Sequence, residues 1–411
     1  EDVNKALRDE VKRQLYDILS EYLGRKLPWG ALTGIRPVHI VNGLMDNGAD
    51  DDGVISTFVN DYRADEKKAR LSLRVAKTER KVLANLDYKN GYSLYIGIPF
   101  CPTTCLYCSF ASYPIGRFKN MVRDYLRALF KEIDYVSAAM KDVKLTSLYI
   151  GGGTPTSITA EQLKRLIDKI KSSFDFSDLV EFTVEAGRPD SITFDKLKVL
   201  YDEGITRISI NPQTMQEKTL KLIGRGHTIE QFLTAFDMAR EIGFDDINTD
   251  LIMGLPDESF LDVKDTIDKI SKLKPENLTI HSLAIKRAAN LNIEMDNYRR
   301  HKMGATDEML TYADQIATDM GLIPYYLYRQ KNIPGNFENV GYSLPGKEGI
   351  YNILMMEEMQ TVLALGAGTV SKFVYPDEGR IERIDNVKDL GLYIERIDEM
   401  IDRKKAMLLR G

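Results

Sequence analysis

Between residues 92 and 321 the chain alternates short β-rich stretches with helical ones, and this alternation restricts the fold more than any other feature. Strict strand–helix alternation predicts a parallel sheet, because each helix returns the chain to the same edge. Six such units predict an α/β fold, a partial (β/α)6 barrel whose chemistry lies at the carboxyl ends of the strands. The six strands are predicted in YSLYIGIPF, SLYIGGG, EFTVEAG, RISINPQ, DINTDLIMGLP and NLTIHSLAI.

The sequence on either side of this core has a different texture. Residues 1–90 carry apolar side chains at helical spacing and predict a helical N-terminal extension. Residues 91–321 form the predicted core. Residues 322–411 lose the alternation and predict a mixed C-terminal cap domain.

Composition excludes several classes of protein. The net charge is -5 and the pI is about 5.7, so no basic field favours nucleic acid as a partner. No apolar run approaches the roughly 20 residues that cross a bilayer. Three clustered cysteines, an odd number, cannot form a disulfide framework, which favours a reducing cytoplasm.

All three cysteines lie in CPTTCLYC, as Cys101, Cys105 and Cys108. Thiolates are soft ligands for zinc, copper(I) or iron–sulfur clusters. A structural zinc site takes four ligands, usually as two spaced pairs, and no histidine lies nearby in the sequence. Three thiolates instead suit a [4Fe–4S] cube that keeps one iron open. The spacing therefore predicts such a cluster, with a zinc knuckle or inert buried thiols as the alternatives.

The spacing Cys-x3-Cys-x2-Cys, with Tyr107 before the third cysteine, resembles the radical S-adenosylmethionine (SAM) superfamily. In that superfamily SAM binds the open iron, and the reduced cluster cleaves it to a 5′-deoxyadenosyl radical. Such a radical takes hydrogen from an unactivated C–H bond, which no side-chain acid or base can do. The resemblance implies a [4Fe–4S] cluster and SAM as cofactors, and an external low-potential electron donor.

Further motifs narrow the resemblance. YIGIPFCPTTCLYCSF, GGGTPT, NPQTM, GRGHT and NTDLIMGLP together resemble the oxygen-independent coproporphyrinogen III dehydrogenase (HemN-like) family, whose relatives include haem chaperones and class C radical SAM methylases. LTGIRP and YYLYRQKNIPGNFENVGY look like its HemZ branch. This resemblance implies oxidative decarboxylation of coproporphyrinogen III to protoporphyrinogen IX in haem biosynthesis, with a tetrapyrrole as substrate.

The resemblance also implies roles for individual residues. Three would serve the cluster-bound SAM: Tyr95, Gly152 and Glu185. Seven would serve a second SAM or an adjacent substrate pocket: Tyr107, Gly153, Thr154, Gln213, Arg225, Asp250 and Ala284. Val370 would close the first site, and Arg225 is suited to pair with a SAM carboxylate bidentately. From the residues alone, Glu185, Gln213 and Asp250 could equally be helix caps or rim residues.

Tyr326 and Arg329, in YYLYRQKN, are predicted to line a pocket for a flat anionic tetrapyrrole, with Arg329 facing a propionate. Ordinary packing on an edge strand is the alternative. One position departs from the dehydrogenase pattern: Phe110 stands where that family has a further cysteine, as in the chaperone branch. Two other functions therefore stay open, a haem-binding trafficking protein and a methylase or haem-degrading enzyme.

Overall fold

The computed structural model describes residues 2–287, 289–293 and 300–408, except for the side chains of residues 2, 3, 5 and 377. The strands are β1 (Gly91–Ile98), β2 (Phe100–Cys101), β3 (Tyr113–Pro114), β4 (Lys144–Gly152), β5 (Glu181–Glu185), β6 (Arg207–Ser209), β7 (Ile247–Met253), β8 (Asn277–Ser282), β9 (Ile323–Arg329), β10 (Glu338–Ser343), β11 (Thr361–Leu365), β12 (Val370–Tyr375) and β13 (Arg380–Asp385).

Helices alternate with the central strands and also cover the first 83 residues. They are α1 (Asp2–Leu23), α2 (Pro37–Asp46), α3 (Asp51–Asn60), α4 (Glu66–Leu83), α5 (Ile115–Phe118), α6 (Val122–Ala139), α7 (Ala160–Ser173), α8 (Phe194–Asp202), α9 (Glu217–Leu222), α10 (Ile229–Ile242), α11 (Phe260–Leu273), α12 (Asn290–Ile293), α13 (Asp307–Asp319), α14 (Ile350–Met356), α15 (Leu390–Glu395) and α16 (Ile397–Leu408). In the part of the chain that the structure describes, no helix is both long and apolar enough to cross a membrane.

The six predicted strands form the centre of one sheet, in the order β1-β4-β5-β6-β7-β8, and every neighbouring pair is parallel. This confirms the predicted α/β fold. The C-terminal strands extend both edges of the same sheet. On one side β11 pairs in parallel with β1 and is followed by β12 and β13, while on the other β10 and β9 add antiparallel strands beside β8. The domain boundaries at residues 90/91 and 321/322 stay predictions.

Several helices of the core begin where the sequence contains a capping signal. The side chain of Thr228 accepts a hydrogen bond from the backbone of Gln231, and the Gln231 side chain accepts one from the backbone of Thr228. Thr159 and Gln162 form the same reciprocal pair before α7. Each pair satisfies backbone N–H groups that have no partner within the helix. The helices therefore start at fixed residues, and the preceding loops hold their positions at the strand ends.

The N-terminal helices are anchored to an edge of the sheet through one buried carboxylate. Glu338, on β10, accepts a hydrogen bond of 2.8 Å from the indole nitrogen of Trp29 and one of 2.6 Å from Lys68 of α4. All three side chains are buried. Because a buried carboxylate without partners is costly, this pairing fixes α4 against the edge of the barrel.

Candidate active site

A cavity of about 600 Å³ lies at the carboxyl ends of the central strands, within the usual size range of ligand sites. Parallel strands end at one edge of the sheet, which is why residues far apart in sequence meet there. Of the residues predicted to form the site, all but Arg329 line this cavity: Tyr95, Cys101, Cys105, Tyr107, Cys108, Gly152, Gly153, Thr154, Glu185, Gln213, Arg225, Asp250, Ala284, Tyr326 and Val370. Their individual roles stay predictions.

The three cysteines follow β1 closely: Cys101 ends the short strand β2, and Cys105 and Cys108 lie in the loop after it. Cys101 and Cys105 are buried and Cys108 is partly exposed. The loop is fixed by two backbone hydrogen bonds, from Leu106 to Ile223 and from Cys108 to Cys105. Burial raises the pKa of the Cys101 thiol to about 12. A thiolate at this position therefore needs a bound cation to stabilise its charge.

The cysteines are not arranged around a single ion. Among the described residues no group of three or more His, Cys, Asp or Glu side chains is arranged to hold one metal ion. A [4Fe–4S] cube does not require such convergence, because each thiolate binds a different iron. The donor set of Cys101, Cys105 and Cys108 fits a cube with one open iron in its number and in the softness of its sulfur atoms.

The glycine loop after β4 lies against the cysteine loop. Gly152 has a φ of +105°, in the region that favours glycine. A Cβ atom on Gly153 would lie 2.9 Å from the sulfur of Cys101 and 2.7 Å from the carbonyl oxygen of Phe100. The hydroxyl of Thr154 donates to the Cys101 sulfur at 3.6 Å. The missing side chains therefore let the glycine loop pack directly against the cysteine loop, and both glycines line the cavity.

Glu185 ends β5 and carries its carboxyl group into the cavity. Burial raises the pKa of Glu185 to about 7, although a hydrogen bond from Tyr149 opposes the shift. The Tyr149 hydroxyl donates to Glu185 Oε1 at 2.6 Å. The ring of Tyr95 stacks on Tyr149 with centroids 6.0 Å apart. The carboxyl group of Glu185 is therefore a hydrogen-bond acceptor held at a fixed position in the cavity wall.

Gln213, in the segment after β6, lies beside Asp250 on β7, and the Gln213 backbone N–H donates to the Asp250 carbonyl oxygen at 3.1 Å. Gln213 adopts a φ of +70°, unusual for a residue with a side chain, and its Oε1 atom is buried without a hydrogen-bond partner. Strained backbone and an unpartnered buried acceptor are typical of a ligand site. Asp250 accepts hydrogen bonds from Asn211 at 2.8 Å and from Asn248 at 2.7 Å.

The charge of Asp250 is stabilised by its surroundings. Burial alone would raise the pKa of Asp250, but hydrogen bonds and charge from His281, together with the Asn248 amide, outweigh it and hold the pKa below the ordinary value. The His281 Nε2 atom lies 3.8 Å from the Asp250 carboxylate. Asp250 is therefore an ionised carboxylate with a fixed orientation at the cavity wall.

The geometry of Arg225 contradicts the bidentate pairing expected for it. Its Nη1 atom lies 3.1 Å from the Tyr107 hydroxyl, and its Nη2 atom donates to the backbone carbonyls of Gly187 and Asn211. Nε is the guanidinium nitrogen that is buried without a partner. A fork of two N–H groups is not available to a ligand carboxylate unless these bonds break. Arg225 instead holds Tyr107 and the loops after β5 and β6 together.

The prediction that Arg329 lines the pocket is wrong. Its guanidinium donates to the carbonyl oxygens of Leu32 and Gly34 at 2.8 and 2.9 Å and lies over the ring of Trp29. Burial lowers the pKa of Arg329 to about 10. Successive side chains of a strand point to opposite faces, so on this stretch Tyr326 and Tyr328 face the cavity while Arg329 faces the N-terminal helices.

The sequence did not reveal four further residues of the cavity wall: Tyr149, Arg188, Lys286 and Lys372. The position of Arg188, three residues after Glu185 in the same strand-end loop, is a signal that could have identified it. Lys372 lies on β12, which reaches the cavity only because β11 pairs with β1. That pairing joins residues about 270 positions apart in the sequence, so no local sequence pattern predicts it.

Comparison with known proteins is consistent with this geometry. Residues 95–270 match the radical SAM superfamily. The chain is 41% identical over 404 residues to the oxygen-independent coproporphyrinogen-III oxidase-like protein HemZ of Bacillus subtilis, covering 97% of this chain and 81% of that protein. It is 40% identical over 195 residues to the heme chaperone HemW of the same organism, covering 47% of this chain and 51% of HemW.

A solved structure supports the fold. The coproporphyrinogen III oxidase HemN of Escherichia coli, described as a radical SAM enzyme, superimposes with a TM-score of 0.58 at 23% identity. The match covers 79% of this chain and 73% of that structure. At this level of identity the likeness concerns the arrangement of strands and helices, and it agrees with the parallel sheet.

Proposed function

We propose that this protein is an oxidoreductase that converts coproporphyrinogen III to protoporphyrinogen IX. The chain belongs to the radical SAM superfamily and, within it, to the HemZ family of oxygen-independent coproporphyrinogen III oxidase-like proteins. In each of two events a propionate loses a β-hydrogen atom, its bond to the carboxyl carbon breaks, CO2 leaves and a vinyl group remains. One electron passes to an external acceptor. The bound [4Fe–4S] cluster and SAM supply the carbon radical that takes the hydrogen atom.

The observation that carries this proposal is a pair of tyrosine rings in the wall of the cavity that the cysteines also line. The rings of Tyr326 and Tyr328 are nearly parallel, at 7° and 6.3 Å between centroids. Flat aromatic faces suit a large, flat ligand. Both tyrosines line the same cavity as Cys101, Cys105 and Cys108, so a tetrapyrrole bound against them would share the cavity with the radical source.

Lys372 takes over the role that the sequence suggested for Arg329. Lys372 lines the cavity, and its ammonium group lies 3.2 Å from Glu358. The same carboxylate is also paired with Arg36 at 2.9 Å and with Arg383 at 2.7 Å. Three cations around one carboxylate leave a surplus of positive charge, and Lys372 is the member that faces the cavity. We assign it to a propionate of the substrate.

The remaining wall residues divide into two groups in this proposal. Tyr95, Gly152 and Glu185 would hold the SAM that binds the cluster, with the Glu185 carboxyl as an acceptor for its polar groups. Gln213 and Asp250 would hold a second SAM or an adjacent part of the substrate. The unpartnered Oε1 atom of Gln213 supports this, because a ligand donor would satisfy it.

One anaerobic assay tests the function. The reconstituted protein is incubated with SAM, a low-potential reductant, an electron acceptor and coproporphyrinogen III, and 5′-deoxyadenosine and protoporphyrin are measured together. We expect both products to accumulate, with about two molecules of 5′-deoxyadenosine for each protoporphyrin. Formation of 5′-deoxyadenosine without decarboxylated porphyrin would contradict the proposed substrate and leave the radical SAM chemistry in place.

A second candidate function has its own support. The heme chaperone HemW is among the relatives of this chain, and Phe110, 66% exposed, stands at the cavity mouth where the resemblance led us to expect a further cysteine in a dehydrogenase. A haem-trafficking protein would bind haem tightly and form no protoporphyrin in the same assay. Titration with haem in parallel separates the two functions.

Replacing Lys372 with methionine tests the proposed propionate contact. A hydrogen bond to a charged group contributes about 1.5–3 kcal/mol, so coproporphyrinogen III should bind about tenfold to a hundredfold more weakly. Glu358 keeps Arg36 and Arg383, so the fold should tolerate the change. Lys331 is exposed and lies just after β9, so Lys331→Met is the control and should leave binding unchanged. Equal affinities of the Lys372→Met variant and the parent would remove Lys372 from the substrate site.

Replacing Asp250 with asparagine tests the second group of wall residues. The variant loses a fixed negative charge, and SAM-dependent turnover should fall by about tenfold or more. The melting temperature should stay within a few degrees, as expected for a binding residue. Asp246 directly precedes β7, at the end of the strand away from the cavity. Asp246→Asn is therefore the matched control and should keep normal turnover. A large loss of stability with normal turnover would make Asp250 a structural residue.

A further inference from the structure

The three cysteine sulfurs differ in the cations that surround them. Arg188 Nη1 donates to the sulfur of Cys105 at 3.4 Å, and Arg225 Nη1 lies 3.9 Å from the same atom. The Cys101 sulfur has the neutral hydroxyl of Thr154 as its donor. Arg188 is 3% exposed, so its charge is poorly screened by water. Cys105 thus has two guanidinium groups within 4 Å of its sulfur, whereas Cys108 is affected by the charges of Lys286 and Arg225 without a described hydrogen bond from either.

Arg188 is held in this position by the loop that carries Cys105. Its Nη1 and Nη2 atoms donate to the carbonyl and hydroxyl oxygens of Thr103 at 3.2 and 3.0 Å. Asp190 binds the other side of the guanidinium with two hydrogen bonds, of 2.9 Å to Nε and 2.7 Å to Nη2. Four hydrogen bonds besides the one to Cys105 fix this planar group, so its orientation toward the sulfur does not depend on a ligand.

We propose that Arg188 is a positioning residue that raises the reduction potential of the cluster through its N–H donated to Cys105. Reduction adds one negative charge to the cluster, and a buried cation with an N–H at a ligand sulfur stabilises that charge. Asp190 offsets part of the positive charge. The inference depends on the cluster of the radical SAM family and not on the tetrapyrrole, so it stands or falls separately from the proposed substrate.

Redox titration of the reconstituted protein, followed by electron paramagnetic resonance of the reduced cluster, tests this assignment. Arg188→Gln removes the charge and should lower the potential, leaving about tenfold less reduced cluster at a fixed potential, which corresponds to about 59 mV for a one-electron couple. Asp190→Asn removes the compensating negative charge and should shift the potential in the opposite direction. The opposite signs distinguish an effect of charge from a general loss of structure.

Lys196→Met is the matched control. Lys196 is a partly buried cation near the same loop that donates to the carbonyl oxygens of Thr156 and Ser191, so its loss should leave the potential unchanged. Unchanged potentials in both Arg188→Gln and Asp190→Asn at full iron content, or shifts of the same sign, would overturn the proposal. If Arg188→Gln does not retain four irons, Asp190→Asn decides alone, because it keeps Arg188 and the three cysteines: an upward shift supports the proposal, and any other result overturns it.

Discussion

Replacing Cys105 with serine is expected to abolish the binding of about four irons per chain and with it all cleavage of SAM. The oxygen of serine is a harder donor than sulfur, and its hydroxyl is a much weaker acid than a thiol. Serine therefore does not replace a thiolate on iron. Cys105 is also the cysteine whose sulfur Arg188 contacts, so its loss leaves a buried cation facing an incomplete site. Iron and sulfide analysis after anaerobic reconstitution, with the visible spectrum, measures the effect.

Ser109→Ala is the matched control for this experiment. Ser109 directly follows Cys108 and lines the same cavity, but its hydroxyl is not a ligand of the predicted cluster. The control should retain its iron and its spectrum. The cluster assignment would be contradicted if the parent protein took up stoichiometric zinc and no iron, or if Cys105→Ser kept a full complement of iron.

The strands and helices of the core could be predicted because their signals are local. A capping pair such as Thr228 and Gln231 lies within four residues, and the six alternating units repeat one pattern. The grouping of the three cysteines could be read from the sequence for the same reason, since they lie within eight residues. Each of these signals depends on neighbours in the sequence and survives without knowledge of the tertiary structure.

The sequence did not predict which face of a strand each side chain occupies, or which residues from distant parts of the chain come into contact. YYLYRQKN contributes Tyr326 and Tyr328 to the cavity wall. Neighbouring residues of a strand point to opposite faces of the sheet, so Arg329 packs on Trp29 and not in the cavity. Arg188 meets Cys105 across 83 positions of the sequence. Such contacts follow from the order of strands in the sheet, and a single sequence carries no local record of them.

The N-terminal helices, whose role the sequence did not reveal, contribute one half of a buried pair of carboxyl groups. Glu79 of α4 and Glu357, just after α14, are 1% and 3% exposed. Their four oxygen atoms are buried without hydrogen-bond partners. Burial, and then the charge of Glu357, raise the pKa of Glu79 well above its ordinary value. Burial likewise raises the pKa of Glu357, to about 7.

This pair should make the protein less stable as the pH rises. Below about pH 4.5 both carboxyl groups are protonated in the folded and the unfolded chain, so the pair has no effect. Above that value, up to about pH 7 for Glu357 and well beyond the ordinary range for Glu79, the unfolded chain loses protons that the folded chain retains. Because the folded state then binds more protons, the free energy of unfolding falls with pH throughout this window. Above the folded pKa the loss is complete.

Replacing Glu79 with glutamine is therefore expected to stabilise the protein at pH 8, by about 1–3 kcal/mol, with little effect near pH 4.5. The amide carries no charge, and it can donate a hydrogen bond to Glu357. Anaerobic denaturant unfolding of the reconstituted protein between pH 5 and pH 8 measures the change. Glu66→Gln, an exposed carboxylate of α4 paired with Arg70, is the control and should stay within about 0.5 kcal/mol at every pH. A Glu79→Gln variant that is less stable than the parent at pH 8, or that keeps the parent's dependence on pH, would show that Glu79 is ionised and paired in the folded protein.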